Sequence, residues 1–167
     1  RSSKYTVFIQ YPISGAGGTA QAACYALKQL GIPFRVFNRT IEKARDLAAR
    51  FGAEVCDSLE TLGNLDVIVS TVPPTSNLRL PTSVFHPNLI VVELVYHPRI
   101  TPLLAQAKEA NCRIVEGIEI LFEQGLKQFQ VFTNHKYSAP RQQIAQAFIE
   151  RFDGGALRVD TPPTFLL

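Results

Sequence analysis

The sequence predicts a three-layer α/β fold, a doubly wound parallel sheet with helices on both faces. Three observations predict it. Strand-like and helix-like patterns alternate along most of the 167 residues. The runs Asp66–Ser70 and Leu89–Leu94 are apolar almost throughout, as in strands covered on both faces. Gly15-Ala16-Gly17-Gly18-Thr19-Ala20 lies between a strand pattern and a helix pattern, the setting of a phosphate-binding turn.

Each element has a local cause. Tyr5–Tyr11 is rich in β-branched and aromatic residues and reads as the first strand. Thr19–Leu30 carries Ala23, Leu27 and Leu30 at helical spacing, and Gly31 and Pro33 end it. Phe34–Phe37 is a second strand. Ile41–Phe51 is a helix with Ala44, Leu47, Ala48 and Phe51 on one side, stopped by Gly52. Glu54–Cys56 is a short strand, and Ser58 is expected to cap a short helix through Leu62. Asp66–Ser70 and Leu89–Leu94 follow as strands. Thr101–Ala110 is a helix with Pro102 in its first turn, where a missing N–H is harmless. Arg113–Val115 is the last strand, and 117–132 and 140–152 are two further helices. The expected strand order is 3-2-1-4-5-6, with a ligand at the carboxyl edge where the order reverses. One irregularity is Pro12, which cannot donate to a central ladder. Either the first strand ends early, or it is the short run Ile13–Ala16.

Composition narrows the function. Hydrophobic residues make up 46% and charged residues 19%, and the net charge is +3. No Lys/Arg stripe stands out, so direct nucleic-acid binding is not expected. No apolar stretch approaches the ~18 residues that span a bilayer, and no secretory signal is visible. Cys24, Cys56 and Cys112 are widely spaced, which fits reduced core residues of a cytoplasmic protein rather than a disulfide framework or a zinc site. No His/Cys/Asp cluster has metal-ligand spacing, and there is no GxSxG elbow for a serine hydrolase.

The glycine motif makes the fold Rossmann-like and points to a dinucleotide. Gly15 allows a tight turn, Gly17 lets backbone approach a pyrophosphate, and Ala20 permits close helix–strand packing. The helix beginning near Gly18 aims free N–H groups, with Thr19 beside them, at the phosphates. About two dozen residues on, where NAD sites place an acid, the chain has Asn38-Arg39-Thr40. Arg39 can pair with a 2′-phosphate and stack on adenine. Lys43 adds charge one turn later, and Thr40 can cap the helix and reach the phosphate. A cation at a helix N-terminus opposes the dipole unless an anion compensates it. NADP is therefore expected over NAD. The plainer alternative is a Gly-rich turn kept for packing, followed by solvated cations.

These motifs, with Val95-Tyr96-His97-Pro98-Arg99-Ile100-Thr101-Pro102-Leu103-Leu104 and Gly117-Ile118-Glu119-Ile120-Leu121-Phe122-Glu123-Gln124, resemble the C-terminal half of shikimate and quinate dehydrogenases. The likeness runs from about Ser14 to Phe132 and keeps the motifs in order. The runs Ile68–Pro73 and Leu121–Gly125 look closest to the fungal type. That type includes the last domain of the pentafunctional arom polypeptide and the related quinate-pathway repressor, which has exchanged catalysis for regulation. The resemblance implies that Gly15, Ala16, Gly17, Gly18, Thr19 and Ala20 hold the pyrophosphate of NADP, and that Asn38, Arg39, Thr40 and Lys43 hold the 2′-phosphate. It implies that Ser70, Thr71 and Val72 pass beneath the nicotinamide ribose, that Leu94 contacts the cofactor and that Gly117 approaches the nicotinamide. Tyr96 and Gln124 would touch the substrate.

The family moves a hydride between NADP and a hydroxyl-bearing ring carbon, reducing 3-dehydroshikimate to shikimate, with a Lys–Asp pair on an N-terminal substrate domain as acid and base. Only 14 residues precede the glycine motif here, so this chain is expected to lack that domain and to be inactive alone, with no catalytic residue of its own. The expected organisation is an N-terminal segment (1–14, a remnant or tag), an NADP-binding domain (15–153) and a loosely held tail (154–167). Gln21 stands where the family often has Arg, Glu93 where Asp is usual, Glu119 where a small residue is common, and Phe132-Thr133-Asn134 where Trp-Thr-Gly is usual. These exchanges are expected to weaken the cofactor or abolish its binding. Two readings follow beside a generic Rossmann oxidoreductase. One is the cofactor half of a cytoplasmic dehydrogenase acting on a shikimate-pathway ligand. The other is a non-catalytic repressor module with a protein partner, which would be nuclear.

Overall fold

The computed structural model describes residues 7–10, 18–59, 62–136, 138 and 140–151. Six parallel strands form one sheet in the order β3-β2-β1-β4-β5-β6. They are β1 (Val7–Gln10), β2 (Phe34–Phe37), β3 (Glu54–Val55), β4 (Val67–Ser70), β5 (Ile90–Glu93) and β6 (Arg113–Val115). This is the expected order, reversing direction from β1. The helices are α1 (Gly18–Gln29), α2 (Ile41–Phe51), α3 (Pro102–Glu109), α4 (Gly117–Phe132) and α5 (Arg141–Arg151).

The first strand is described over Val7–Gln10, within the run Tyr5–Tyr11, while Pro12 and Ile13–Ala16 lie outside the described residues. Val7–Gln10 is the central strand, paired with β2 on one side and β4 on the other. Gly15, Ala16 and Gly17 lie outside the described residues. So does part of the short helix expected after Ser58, of which Leu59 has a 3-10 conformation. Most other boundaries fall within a residue of expectation, for chemical reasons. Gly52 closes α2 in the left-handed region (φ 73°), where its N–H reaches the Ala48 carbonyl. Thr101 caps α3 by accepting the Leu104 N–H, and Pro102 follows in the first turn.

Alternate residues of β2 and β4 feed different cores. Phe34 and Val36, with Val67 and Val69, pack against Ala20, Cys24, Ala44 and Leu47 of α1 and α2. Ile68 and Val91 pack instead with Leu103, Leu104 and Ala107 of α3. This period-two division explains why the strands are apolar on both sides.

The chain divides into two compact units, residues 1–117 and 118–167. The first holds the sheet and α1–α3. Within the second, Ile118, Phe122 and Leu126 of α4 cluster with Ala145 of α5. Arg141 grips the Glu123 carboxylate with two nitrogens and lies 5.0 Å from the Phe122 ring centre.

Candidate functional site

The register of the sheet assembles the site. Gln10 is opposite Phe37 on one side and Ser70 on the other, and Ser70 is opposite Glu93. The four strands β2, β1, β4 and β5 therefore end in one row. Asn38–Thr40, Ser70–Val72 and Leu94–Tyr96 lie at or just beyond this carboxyl edge, and Gly18–Ala20 begin α1.

At the tip of β2, Asn38 is buried and its Oδ1 accepts the Thr40 N–H at 2.8 Å. This Asx turn fixes the backbone on both sides of Arg39. Arg39 is exposed and makes no ion pair with a described residue. Thr40 occupies the N-cap position of α2, but its side chain makes no capping bond, contrary to expectation. Lys43 follows in the first turn, half-buried.

On the phosphate side, Gly18 and Thr19 are exposed at the start of α1, while Ala20 is fully buried in the core shared with β2 and α2. That burial fits the close-packing role assigned to it. Gln21 lacks the charge common at its position, yet Arg50 of α2 donates to its Oε1 at 2.9 Å. A guanidinium thus reaches this turn from another helix. At the tip of β4, Ser70 and Val72 are buried and Thr71 is half-buried, so only backbone is presented from Ser70 and Val72. Beyond β5, Leu94 is half-buried and Tyr96 is 46% exposed.

A family model described as shikimate / quinate 5-dehydrogenase matches residues 9–83, the segment that forms this edge from β1 to the β4 loop. The shikimate dehydrogenase (NADP(+)) of Archaeoglobus fulgidus is 35% identical over 133 residues, covering 72% of this chain and 49% of that protein. That of Methanocella arvoryzae is 35% identical over 135 residues, covering 74% of this chain and 50% of that protein. Over these residues the chain is similar to the shikimate/quinate dehydrogenase family. It spans about half the length of the curated relatives it matches. Among solved structures, shikimate 5-dehydrogenase of Thermus thermophilus, in complex with NADP(H) and shikimate, superposes with TM-score 0.72 at 27% identity. The match covers 87% of this chain and 54% of that one. The Aquifex aeolicus enzyme gives TM-score 0.72 at 28% identity, covering 88% and 54%.

The edge is held by a buried acid that the sequence marked only as an exchange. Glu93 is 1% exposed. Its Oε1 accepts the Val95 N–H at 3.1 Å and its Oε2 accepts the Thr101 hydroxyl at 3.0 Å. The Ser70 hydroxyl opposite is buried with no partner in bonding geometry among the described residues, yet it lies near enough to favour the carboxylate. Burial nevertheless dominates and pushes the Glu93 carboxyl above its ordinary value, against the hydrogen bonds from Val95 and Thr101 and the nearby Ser70 hydroxyl and Leu94 N–H. The folded chain therefore holds this proton more tightly than the unfolded chain. The resulting stability is fully present below the ordinary glutamate value of about 4.3 and is lost as pH rises through the folded value. Glu93→Gln is expected to remove this dependence. Urea unfolding should show the variant gaining on the native chain as pH rises above the ordinary glutamate value, and a constant difference would refute the assignment.

Gly117, assigned by resemblance to the nicotinamide, has a nearer neighbour. A Cβ on it would lie 2.4 Å from the Val95 carbonyl oxygen and 2.7 Å from that of Leu94. The absence of a side chain is thus required by the protein's own backbone. Gln124 lies on α4 in the second unit and is exposed. A second carboxylate, Glu116, accepts from Arg99 Nε and has Lys108 Nζ at 3.8 Å. The sequence reading missed this cluster. Its only advance signal was an acid directly after the short strand Arg113–Val115.

The remaining candidates are quieter. His97 is exposed before a cis Pro98, and His86 contacts the Leu65 carbonyl. All three cysteines are free thiols, and burial raises that of Cys24 to about 11, leaving it neutral and unreactive. Among the described residues no helix is long and apolar enough to cross a membrane, and no group of three His, Cys, Asp or Glu could hold a metal ion.

Proposed function

We propose that this chain is the NADP(H)-binding half of a shikimate or quinate dehydrogenase acting in the cytoplasm. The observation that carries this reading is Arg39, an exposed residue with no ion pair among the described residues, held by an Asx turn at the carboxyl tip of β2. The donor set fits the cofactor. Arg39, with Asn38, Thr40 and Lys43, would hold the 2′-phosphate. The motif at Gly15–Ala20 and the start of α1 would hold the pyrophosphate. Backbone at Ser70–Val72, together with Leu94, would border the nicotinamide end. Bound NADP(H) would supply or accept the hydride, and the residues of the first unit would bind and orient it beside Tyr96. The polyol's acid and base belong to the other half of the protein. Archaeal and bacterial dehydrogenases among the curated relatives favour an enzyme over the repressor reading.

Fluorescence titration tests this. NADPH is expected to bind in the micromolar range and NADH at least about tenfold more weakly, the worth of one charge-assisted phosphate contact. Shikimate with NADP is expected to give no turnover from this chain alone. Equal affinity for the two cofactors would overturn the reading of Arg39, and turnover would overturn the placement of the acid and base.

A further inference from the structure

We propose that Glu93 and Thr101 form a buried clasp that positions Tyr96 at the carboxyl edge, where it meets a polyol carboxylate substrate. The substrate's identity rests on the dehydrogenase reading, whereas the clasp rests on geometry alone. Tyr96 lies in the connection 94–101 between β5 and α3, which has no strand or helix of its own. One carboxylate binds both ends of that connection. Oε1 takes the N–H of Val95, the residue just before Tyr96, and Oε2 takes the hydroxyl of Thr101, the residue just before α3. The same Thr101 oxygen accepts the Leu104 N–H, so the connection is tied to the first turn of α3. Glu93 itself is fixed by the ladder opposite Ser70. Both members are buried, Glu93 at 1% and Thr101 at 4% exposure, so neither can touch a ligand. Their effect reaches the site only through the backbone that carries the half-exposed Tyr96 ring. They are positioning residues.

The test compares Thr101→Val, which removes the hydroxyl at nearly constant shape, with Thr101→Ser, which keeps it. Amide hydrogen exchange of this chain is followed residue by residue. Thr101→Val is expected to speed exchange at Val95 and Tyr96 by about tenfold or more, with Ile68 and Val91 within about twofold of the native chain. Thr101→Ser is expected to restore native rates. Unchanged rates at Val95 and Tyr96 in Thr101→Val would overturn the clasp. So would an equal acceleration at Ile68 and Val91, which would mark a general loss of stability. NADPH titration of the same proteins separates the two claims. The expected exchange pattern without NADPH binding supports the clasp and removes the dehydrogenase reading. Native NADPH binding with Val95 and Tyr96 still protected in Thr101→Val removes the clasp alone.

Discussion

Replacing Arg39 by alanine is expected to weaken NADPH binding by roughly tenfold to a hundredfold and to leave NADH binding within about threefold. The range follows from the ~1.5–3 kcal/mol that hydrogen bonds to charged groups contribute. The structure makes the effect large. The guanidinium has no carboxylate among the described residues to compete with a phosphate, and the Asx turn from Asn38 to Thr40 fixes its backbone in advance. Little ordering cost therefore falls on binding. Arg113→Ala is the control, because that side chain leaves the first residue of β6, paired with Ile90 at the opposite end of the sheet. It removes the same charge and should change NADPH affinity less than twofold at physiological salt, where screening acts beyond ~8 Å. If Arg39→Ala weakens NADH as much as NADPH, the side chain stacks on adenine and does not select the 2′-phosphate.

The largest effect on stability is expected at Gly117. Its added Cβ would meet the backbone of Leu94 and Val95, which cannot rotate away as a side chain could. Relieving the overlap requires moving either the start of α4 or the exit of β5. Gly117→Ala is expected to cost about 3 kcal/mol, the upper part of the range for overpacking. That corresponds to a fall in Tm of roughly 10 °C for a chain of this size. Gly125→Ala should change stability in the opposite direction. Gly125 is exposed inside α4 with open space where its Cβ would lie, so alanine gains about 0.5–1 kcal/mol of helix propensity. Thermal unfolding of the two variants decides the matter. A Gly117→Ala variant as stable as the native chain would show that no such contact exists.

The two glycines also show where reading the sequence stops. Both stand in one helical pattern, and nothing in the residues around them says which one faces a carbonyl. Thr40 gives the same lesson. Its position at the N-cap was legible, but the turn that Asn38 imposes with the Thr40 amide was not, and the hydroxyl makes no cap. The Glu93 clasp drew no notice except as an exchange of one acid for another. Its partners come from β4, the loop after β5 and the cap of α3, and no spacing rule connects them.

What the residues alone determined was the layout. Gly and Pro set most helix ends, apolar runs marked the strands that are covered on both faces, and the alternation of strands and helices around the glycine motif pointed to the strand order. Local conformational preference and chirality act over a few residues or one crossover, so they can be read along the chain. The tertiary structure decided which polar groups are buried together and which backbone atoms touch. Those contacts depend on distances between elements far apart in sequence, and a shift of an ångström would remove them.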